Sequence, residues 1–289
     1  MNINRILYSF FSLFFSFNVF SQSSICGKVL DSLTLQPVAY AVITTLSSGV
    51  YCDSLGNFQM KNIQDEVLNV SCIGYQKKIV STNYNKCDTI LLAPIFEELK
   101  PIILGKFQWL ENNKIQVGDL VGKSKFGINV PSGLTIIKFF PNPNQLKSFI
   151  IGDFIFKLSN STVNNPKLKA RIRVFEAIDQ KTIGEDILNR SDIFSIEKGA
   201  DNLATINLNK YAIQMPVNGC FLGIEFIGDI SENDSEVSNN YLAITGWLAK
   251  SFEDGYTLRK YYSNNFREYT FGTSQKVNLY FAINLYENK

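Results

Sequence analysis

Near the end of the chain, apolar side chains fall at every second position. Val277, Leu279, Phe281, Ile283 and Leu285 share one face, while Asn278, Tyr280, Asn284 and Tyr286 take the other. A period of two puts successive side chains on opposite faces of an extended backbone, and a strand with one dry and one wet face belongs in an antiparallel sheet. The same alternation runs through the whole second half. In 149–159, Ile150, Phe154, Phe156 and Leu158 oppose Asp153 and Lys157; in 167–178, Ala170, Ile172 and Val174 oppose Arg171 and Arg173. In 220–228, Leu222, Ile224 and Phe226 oppose Glu225, and further strands are expected near 203–208, 241–249, 256–262 and 267–271. Turn clusters such as Asn142-Pro143-Asn144 and Asn164-Asn165-Pro166 separate them. No helical period is sustained anywhere, and 182–196 leaves room for one short helical turn. The pattern predicts an antiparallel β-sandwich of jelly-roll type.

The region from Ile25 to Leu92 also reads as short strands between turn residues, but its motifs are more specific. Gly27-x-Val29-x-Asp31, Pro37, Ala41-Val42, Asp53-x-x-Gly56-x-Phe58 and Leu68-x-Val70-Ser71-x-x-Gly74-Tyr75 follow one another in order. Each has a structural purpose: Asp53 hydrogen-bonds its own turn, Gly56 supplies a positive φ, and Phe58 then enters the core. Together they resemble the carboxypeptidase regulatory-like domain, a small transthyretin-like β-sandwich common in exported bacterial proteins. The resemblance implies a folding module and no reaction. A zinc carboxypeptidase site normally uses histidine, and the sequence has none. The same module also precedes the plug of some outer-membrane receptors, whose barrels of about 22 strands need far more chain than follows here.

Ahead of this module lies a different material. Arg5 is followed by an apolar run from Ile6 to Phe20, with Val19 and Ser21 as small residues before a cut near Ser21 or Gln22. About 15 apolar residues are too few for a stable span and fit a secretory signal. The expected organisation is therefore a signal peptide at 1–21, the regulatory-like sandwich at 22–95, a Pro-bearing linker at 96–115, and the larger sandwich at 116–289. The mature chain is expected to have no transmembrane segment and to reside in the periplasm, at the outer membrane or outside the cell. Cys26, Cys52, Cys72 and Cys87 allow three disulfide pairings or none, and Cys220 stands apart. The larger sandwich also carries Lys169-x-Arg171-x-Arg173-x-Phe175-Glu176, Leu208-x-x-Tyr211-x-Ile213 and Gly219-x-Phe221-x-Gly223-x-Glu225, which are similar to the tail of uncharacterised exported bacterial proteins that begin with the same module.

Composition removes several functions. With 28 basic and 26 acidic side chains the formal charge is +2, and no basic stripe exists to replace phosphate counterions, so nucleic acid is not an expected partner. No glycine-rich phosphate loop follows a strand. Without histidine, Ser-His-Asp, Cys-His and common zinc hydrolase sites are unavailable. A pair of carboxylates is the remaining hydrolytic device, with Glu225 and Asp229 or Asp153 and Glu176 as candidates, against the plainer reading of solvent-facing charges.

Two binding constellations remain. Asp229, Glu232, Asp234 and Glu236 form an acidic loop able to hold calcium, although it lacks the EF-hand glycine and spacing. Arg171, Arg173, Trp247, Tyr262 and Tyr280 supply cations and aromatic faces of the kind used against sugars or peptides. No other cofactor is implied. The expected function is that of a non-catalytic envelope or secreted protein binding a glycan, peptide or protein partner through the larger sandwich. The alternatives are an accessory subunit of a surface assembly and a carboxylate-dependent glycoside hydrolase.

Overall fold

The computed structural model describes residues 24–46, 48–61, 67–81, 87–95, 114–121, 126–160, 162, 169–188, 192–228, 242–249, 257–262, 265–271 and 275–288. The expected signal peptide, most of the linker and the acidic loop at 229–236 lie outside these residues. The described chain is all-β, a small sandwich followed by a larger antiparallel one.

Seven strands build the small sandwich: β1 (Ser24–Asp31), β2 (Val42–Thr44), β3 (Gly49–Tyr51), β4 (Asn57–Lys61), β5 (Val67–Ser71), β6 (Lys78–Ser81) and β7 (Cys87–Leu92). One sheet has the order β4-β1-β7 and the other β3-β2-β5-β6. Alternate residues of both sheets, among them Ile25, Val29, Ile43, Phe58, Leu68, Val70 and Ile90, meet in one buried core. The Asp53 turn forms as its sequence predicts. The carboxylate accepts the N–H groups of Leu55 and Asn57, both at 2.8 Å, and Gly56 takes φ +79°, a conformation costly for any residue with a Cβ. Tyr75 donates its hydroxyl to Asp31 at 3.0 Å, tying the turn after β5 that carries the Gly74-Tyr75 motif to the end of β1. β1 and β7 run parallel, and Cys26 and Cys87, opposite each other in that pairing, form a disulfide. Cys52 and Cys72 are free thiols, and burial pushes Cys52 up to about 12, which makes it an inert core side chain.

The larger sandwich comprises β8 (Lys114–Gly118), β9 (Phe126–Asn129), β10 (Leu134–Phe140), β11 (Ser148–Lys157), β12 (Lys169–Ala177), β13 (Ile183–Asp186), β14 (Phe194–Ser195), β15 (Leu203–Asn207), β16 (Cys220–Gly228), β17 (Ala243–Ala249), β18 (Thr257–Tyr261), β19 (Arg267–Glu268), β20 (Thr270–Phe271), β21 (Gln275–Leu279) and β22 (Phe281–Asn288). One layer has the order β13-β12-β16-β10-β18-β19, with β14 also on β12. The other joins β15-β11-β22-β8 to β20-β21-β17-β9, because β21 continues into β22 through Tyr280 and Leu158 bridges to Ile244. Successive long strands cross from layer to layer, the jelly-roll-like trait of this sandwich. Phe154, Phe156, Phe281, Ile283 and Leu285 from one layer meet Ile136, Ile172, Leu222 and Ile224 from the other in a single core.

The described part of 182–196 is extended, in β13 and β14, and not helical; strand pairing with β12 satisfies its backbone instead. The short helical turns fall later, at Ala200–Asn202 and Asn209–Tyr211. Lys114 and Ile115, expected in the linker, already pair with Tyr286 and Leu285. No helix among the described residues is long and apolar enough to cross a membrane.

Candidate functional site

The alternation that buries one face of each strand leaves the opposite face pointing away from the core. The larger sandwich has two such outer faces, and they differ in what lies on them.

The first belongs to β12, β16, β10 and β18, and the small sandwich covers part of it. Arg171 and Glu225 are directly opposed across β12 and β16, and Thr135 and Lys260 continue the row on β10 and β18. Arg171 donates from Nε and Nη2 to the two oxygens of Glu225 at 2.9 and 2.8 Å, a bidentate pair. Arg173 adds a bond to Glu225 at 2.7 Å and a second ion pair to Asp186. The fourth donor comes from the small sandwich: Tyr51 Oη to Glu225 Oε1, 2.8 Å. Arg171 is 5% exposed and Glu225 3%. Burial alone would raise the Glu225 carboxyl, but the two guanidinium groups outweigh it and hold the group well below the usual carboxylate range. Around this network Val42, Tyr51 and Ile227 are buried, with Tyr40, Ile193 and Tyr262 packed on them. The Tyr262 ring lies 5.6 Å from that of Tyr51 and sits so close to Gly49 and Gly133 that a Cβ on either would fall within 2.7 Å of it. Lys169 donates to the Tyr40 hydroxyl at 2.7 Å.

This region is a joint between the sandwiches. Glu225, read from the sequence as a solvent-facing charge, is enclosed by it. Strand periodicity shows that Arg171, Arg173 and Glu225 face away from their own core, and carries no sign that another module lies there.

The second outer face belongs to β15, β11, β22, β21 and β17. Asp153 is opposite Asn207 on one side and Asn284 on the other, and Ile155 is opposite Thr205 and Ala282. Lys157 is opposite Leu203, and its N–H donates to the carbonyl of Tyr280 at 3.0 Å. Tyr280 in turn donates its N–H to Thr245, and Trp247 pairs with Asn278. Trp247 and Tyr280 thus meet on this face, with ring centroids 4.6 Å apart. Tyr280 is fully buried and Trp247 half-buried. Lys138 Nζ lies 5.3 Å from the Trp247 ring centre, donates to the Leu279 carbonyl and pairs with Asp119 at 3.8 Å. Burial brings this amine down to about 8, against the opposing pull of Asp119.

Beside the Tyr280–Thr245 link runs a groove of about 580 Å³. Leu120, Val121, Phe126 and Gly127 line one part, Lys157 to Asn160 and Asp201 to Leu203 another, and Thr245 adds a hydroxyl. Asn202 donates its side-chain amide to Asn160 at 2.7 Å and accepts the Leu158 N–H through its carbonyl at 2.8 Å. Asp201 and Asn202 both have left-handed backbones, φ 54° and 59°. Asn and Asp tolerate this region better than other residues, and such strain is concentrated at ligand sites. A wider trough of about 960 Å³ follows the small sandwich past Cys26, Cys87 and Lys61 to Ser132 and Ile227, with its charged groups spread over several strands.

The five residues chosen from sequence therefore divide. Arg171, Arg173 and Tyr262 belong to the joint, whereas Trp247 and Tyr280 adjoin the buried Lys138 of β10, with Tyr280 itself enclosed. Asp153, Asn202, Asn207, Asn209 and Tyr286 were not singled out as binding residues, since isolated Asn and Tyr side chains on a polar strand face give no local signal. The four calcium candidates, Asp229, Glu232, Asp234 and Glu236, lie outside the described residues.

Comparison with known proteins identifies the small sandwich. Residues 25–97 match the CarboxypepD_reg-like domain family, so the first module is the regulatory-like domain that its motifs resemble. No curated protein matches the sequence. Among solved structures, a candidate carbohydrate-binding protein from Bacteroides uniformis is similar at 9% identity, covering 89% of this chain and 98% of its own, with a TM-score of 0.21. A DUF3823 family protein from the same organism has 10% identity, 89% and 96% coverage and a TM-score of 0.22. Infectious bursal disease virus, Gx strain, has 13% identity, 93% and 57% coverage and a TM-score of 0.27. Likenesses this low carry no argument about ligand or activity.

Proposed function

We propose that this chain is an exported, non-catalytic binding protein of the bacterial cell envelope that holds a glycan on the outer face of its larger sandwich. The observation that carries this reading is the groove of about 580 Å³, whose lining combines Asn160, Asn202, Ser159, Thr245 and Lys157 with Leu120, Leu203 and Phe126. Sugars present the matching surface, hydroxyl edges around apolar ring faces, and orienting polar groups within an apolar lining are the usual construction of such sites. The small sandwich, fixed through Tyr51 and Tyr262, serves as a rigid docking module on the opposite layer.

Hydrolysis through Glu225 is not supported by its surroundings. A general acid must hold a proton near the working pH, whereas two arginines keep this carboxylate ionised and enclosed.

The test is thermal unfolding of the purified chain against neutral and acidic glycans, with and without calcium. A ligand at about 100 times its dissociation constant adds roughly 2.7 kcal/mol to stability, a clear rise in Tm. Asn202→Ala and Lys157→Ala are expected to abolish the rise. A panel with no shift, or a shift indifferent to both substitutions, would sink the assignment to this groove. Calcium dependence would bring the 229–236 loop into the site.

A further inference from the structure

We infer that a small open pocket at the edge of the larger sandwich is an ammonium-recognising subsite, which takes one amino sugar of the bound glycan. The sugar class rests on the glycan-binding reading, whereas the preference for an amine rests on this pocket alone.

The position of the pocket follows from how the two layers end. β14 lies at the edge of one layer, paired to β12 through Lys169–Ser195 and Ala170–Phe194, and β15 is the edge strand of the other, paired to β11. Between these edges is a cavity of about 210 Å³ that reaches down to the buried Ile172. Alternation along β15 sends Leu203, Thr205 and Asn207 to the outer face, with Ala204 buried between them. Leu203 lines the groove, while Thr205 and Asn207 line the pocket, so one row of side chains leads from the first to the second. Leu203 and Asn207 are four residues apart, roughly 13 Å at the usual rise of a strand, a span that a glycan of several units covers.

Two half-buried rings, Phe194 and Tyr211, supply the apolar part of the pocket. Tyr211 is held in place from two sides. Its hydroxyl accepts the Asp192 N–H at 2.9 Å, and its own N–H donates to the Leu208 carbonyl at 3.0 Å. The residue after it, Ala212, takes a left-handed φ of 47°. For a residue with a Cβ this costs about 1–3 kcal/mol, and it persists only where the surroundings fix the chain.

Three charged side chains share the pocket. Lys210 pairs with Asp192, and its ammonium lies 5.0 Å from the Tyr211 ring centre. The protein thus sets an ammonium of its own against a ring and a carboxylate, the combination by which aromatic sites recognise amines. Glu197 is the remaining charge. It is exposed, shares the outward side of its segment with Ser195 around the buried Ile196, and has no ion-pair partner among the described residues. One uncompensated negative charge beside two rings selects a protonated amine over a neutral hydroxyl and repels an acidic sugar. The cavity is smaller than the roughly 300–1,000 Å³ of pockets for larger ligands, which limits it to a single sugar ring. Lys210 competes with that ring, because it occupies Asp192 and the face of Tyr211.

The experiment titrates β-1,4-linked hexasaccharides of glucose, N-acetylglucosamine and glucosamine, with the glucosamine amine protonated, by calorimetry. The proteins are the wild type and the Glu197→Gln, Lys210→Ala, Asn202→Ala and Glu176→Gln variants. Glu176 is an exposed acid at the other end of β12 and controls for loss of charge alone. The wild type is expected to bind the glucosamine chain about tenfold more tightly than the other two. Glu197→Gln removes that preference, Glu176→Gln keeps it, and Lys210→Ala widens it by vacating the ring and Asp192. If the three chains bind alike and Asn202→Ala weakens them all, the amine subsite is refuted and the groove stands. If the preference survives in Glu197→Gln, or Glu176→Gln removes as much of it, the attraction is general and the pocket is again refuted. A preference that needs Glu197 while Asn202→Ala changes nothing keeps the pocket and removes the groove. Absence of binding by all three chains overturns the subsite, whatever other glycan raises the Tm of the wild type.

Discussion

The two outer faces of the larger sandwich are built from the same alternating strands, yet one is closed by a second module and the other carries an open groove. At the joint, Glu225 has four donors from Arg171, Arg173 and Tyr51, and the small sandwich excludes water from them. On the other face, Asp153 takes its donors from the side-chain amides of Asn207 and Asn284, both on strands of its own layer. A saturated buried network holds parts together, because it has nothing left to offer a ligand. Charge pairing shared between two modules marks a scaffold region, whereas a groove lined by groups of one layer is the surface left for recognition.

The comparison is broken most severely at Glu225. Glu225→Gln leaves two arginines without their carboxylate in a closed joint, and a loss of about 3–5 kcal/mol is expected in denaturant unfolding. A loss below about 1 kcal/mol would mean that the joint is open in solution.

Lys138 gives the next effect, through pH. Its folded-state amine releases its proton near 8, while an unfolded lysine keeps it to about 10.4, so between these values the unfolded state binds more protons and rising pH favours the fold. The full cost, about 3 kcal/mol, applies below that window and is relieved across it. Lys260 is also brought down to about 8, by burial and by Arg173, so the quantity to measure is the difference between the wild type and Lys138→Met from pH 7 to pH 10. The difference should shrink or reverse in favour of the wild type as pH rises; a constant difference would contradict the assigned shift.

Tyr51→Phe removes one of the four donors to Glu225 and the only one supplied by the small sandwich among the described contacts. A loss of about 1–3 kcal/mol is expected, together with faster proteolysis between the sandwiches. Smallest in stability is Asn209→Ala, which deletes an unbonded acceptor. Its unfolding free energy should stay within about 0.5 kcal/mol of the wild type, or rise.

Much of the fold was legible in the sequence because strand alternation is a local property. Val277 to Leu285 announces its buried face within nine positions, and Asp53-x-x-Gly56 specifies its turn from its own atoms. The site was less legible, because it depends on which strands are neighbours. That Arg171 opposes Glu225, 54 positions away, is a fact of register, and that Tyr51 then closes over the pair is a fact of module packing. Asp153 stood out only as a possible acid; its partners Asn207 and Asn284 come from strands far along the chain. Trp247 and Tyr280 do adjoin, with ring centroids 4.6 Å apart, but Tyr280 lies between β21 and β22 and is fully buried, which alternation does not reveal.

The disulfide of the small sandwich has a mechanical consequence. β1 and β7 are parallel neighbours at the two ends of the module, and Cys26 and Cys87 join them across 61 positions of chain. In the chain-entropy view, closing a loop of this length stabilises the module by about 4 kcal/mol. Under tension between Ser24 and Leu92 the geometry matters more. Such a pull slides the two strands past each other, so the rungs between them resist together instead of parting one at a time, and the sulfur bond stops the slide outright. With the bond intact, the module is a strap of fixed length. Once reduced, it becomes a spring able to pay out the intervening chain, and a single-molecule pulling experiment with and without reductant would register that change as a new extension step.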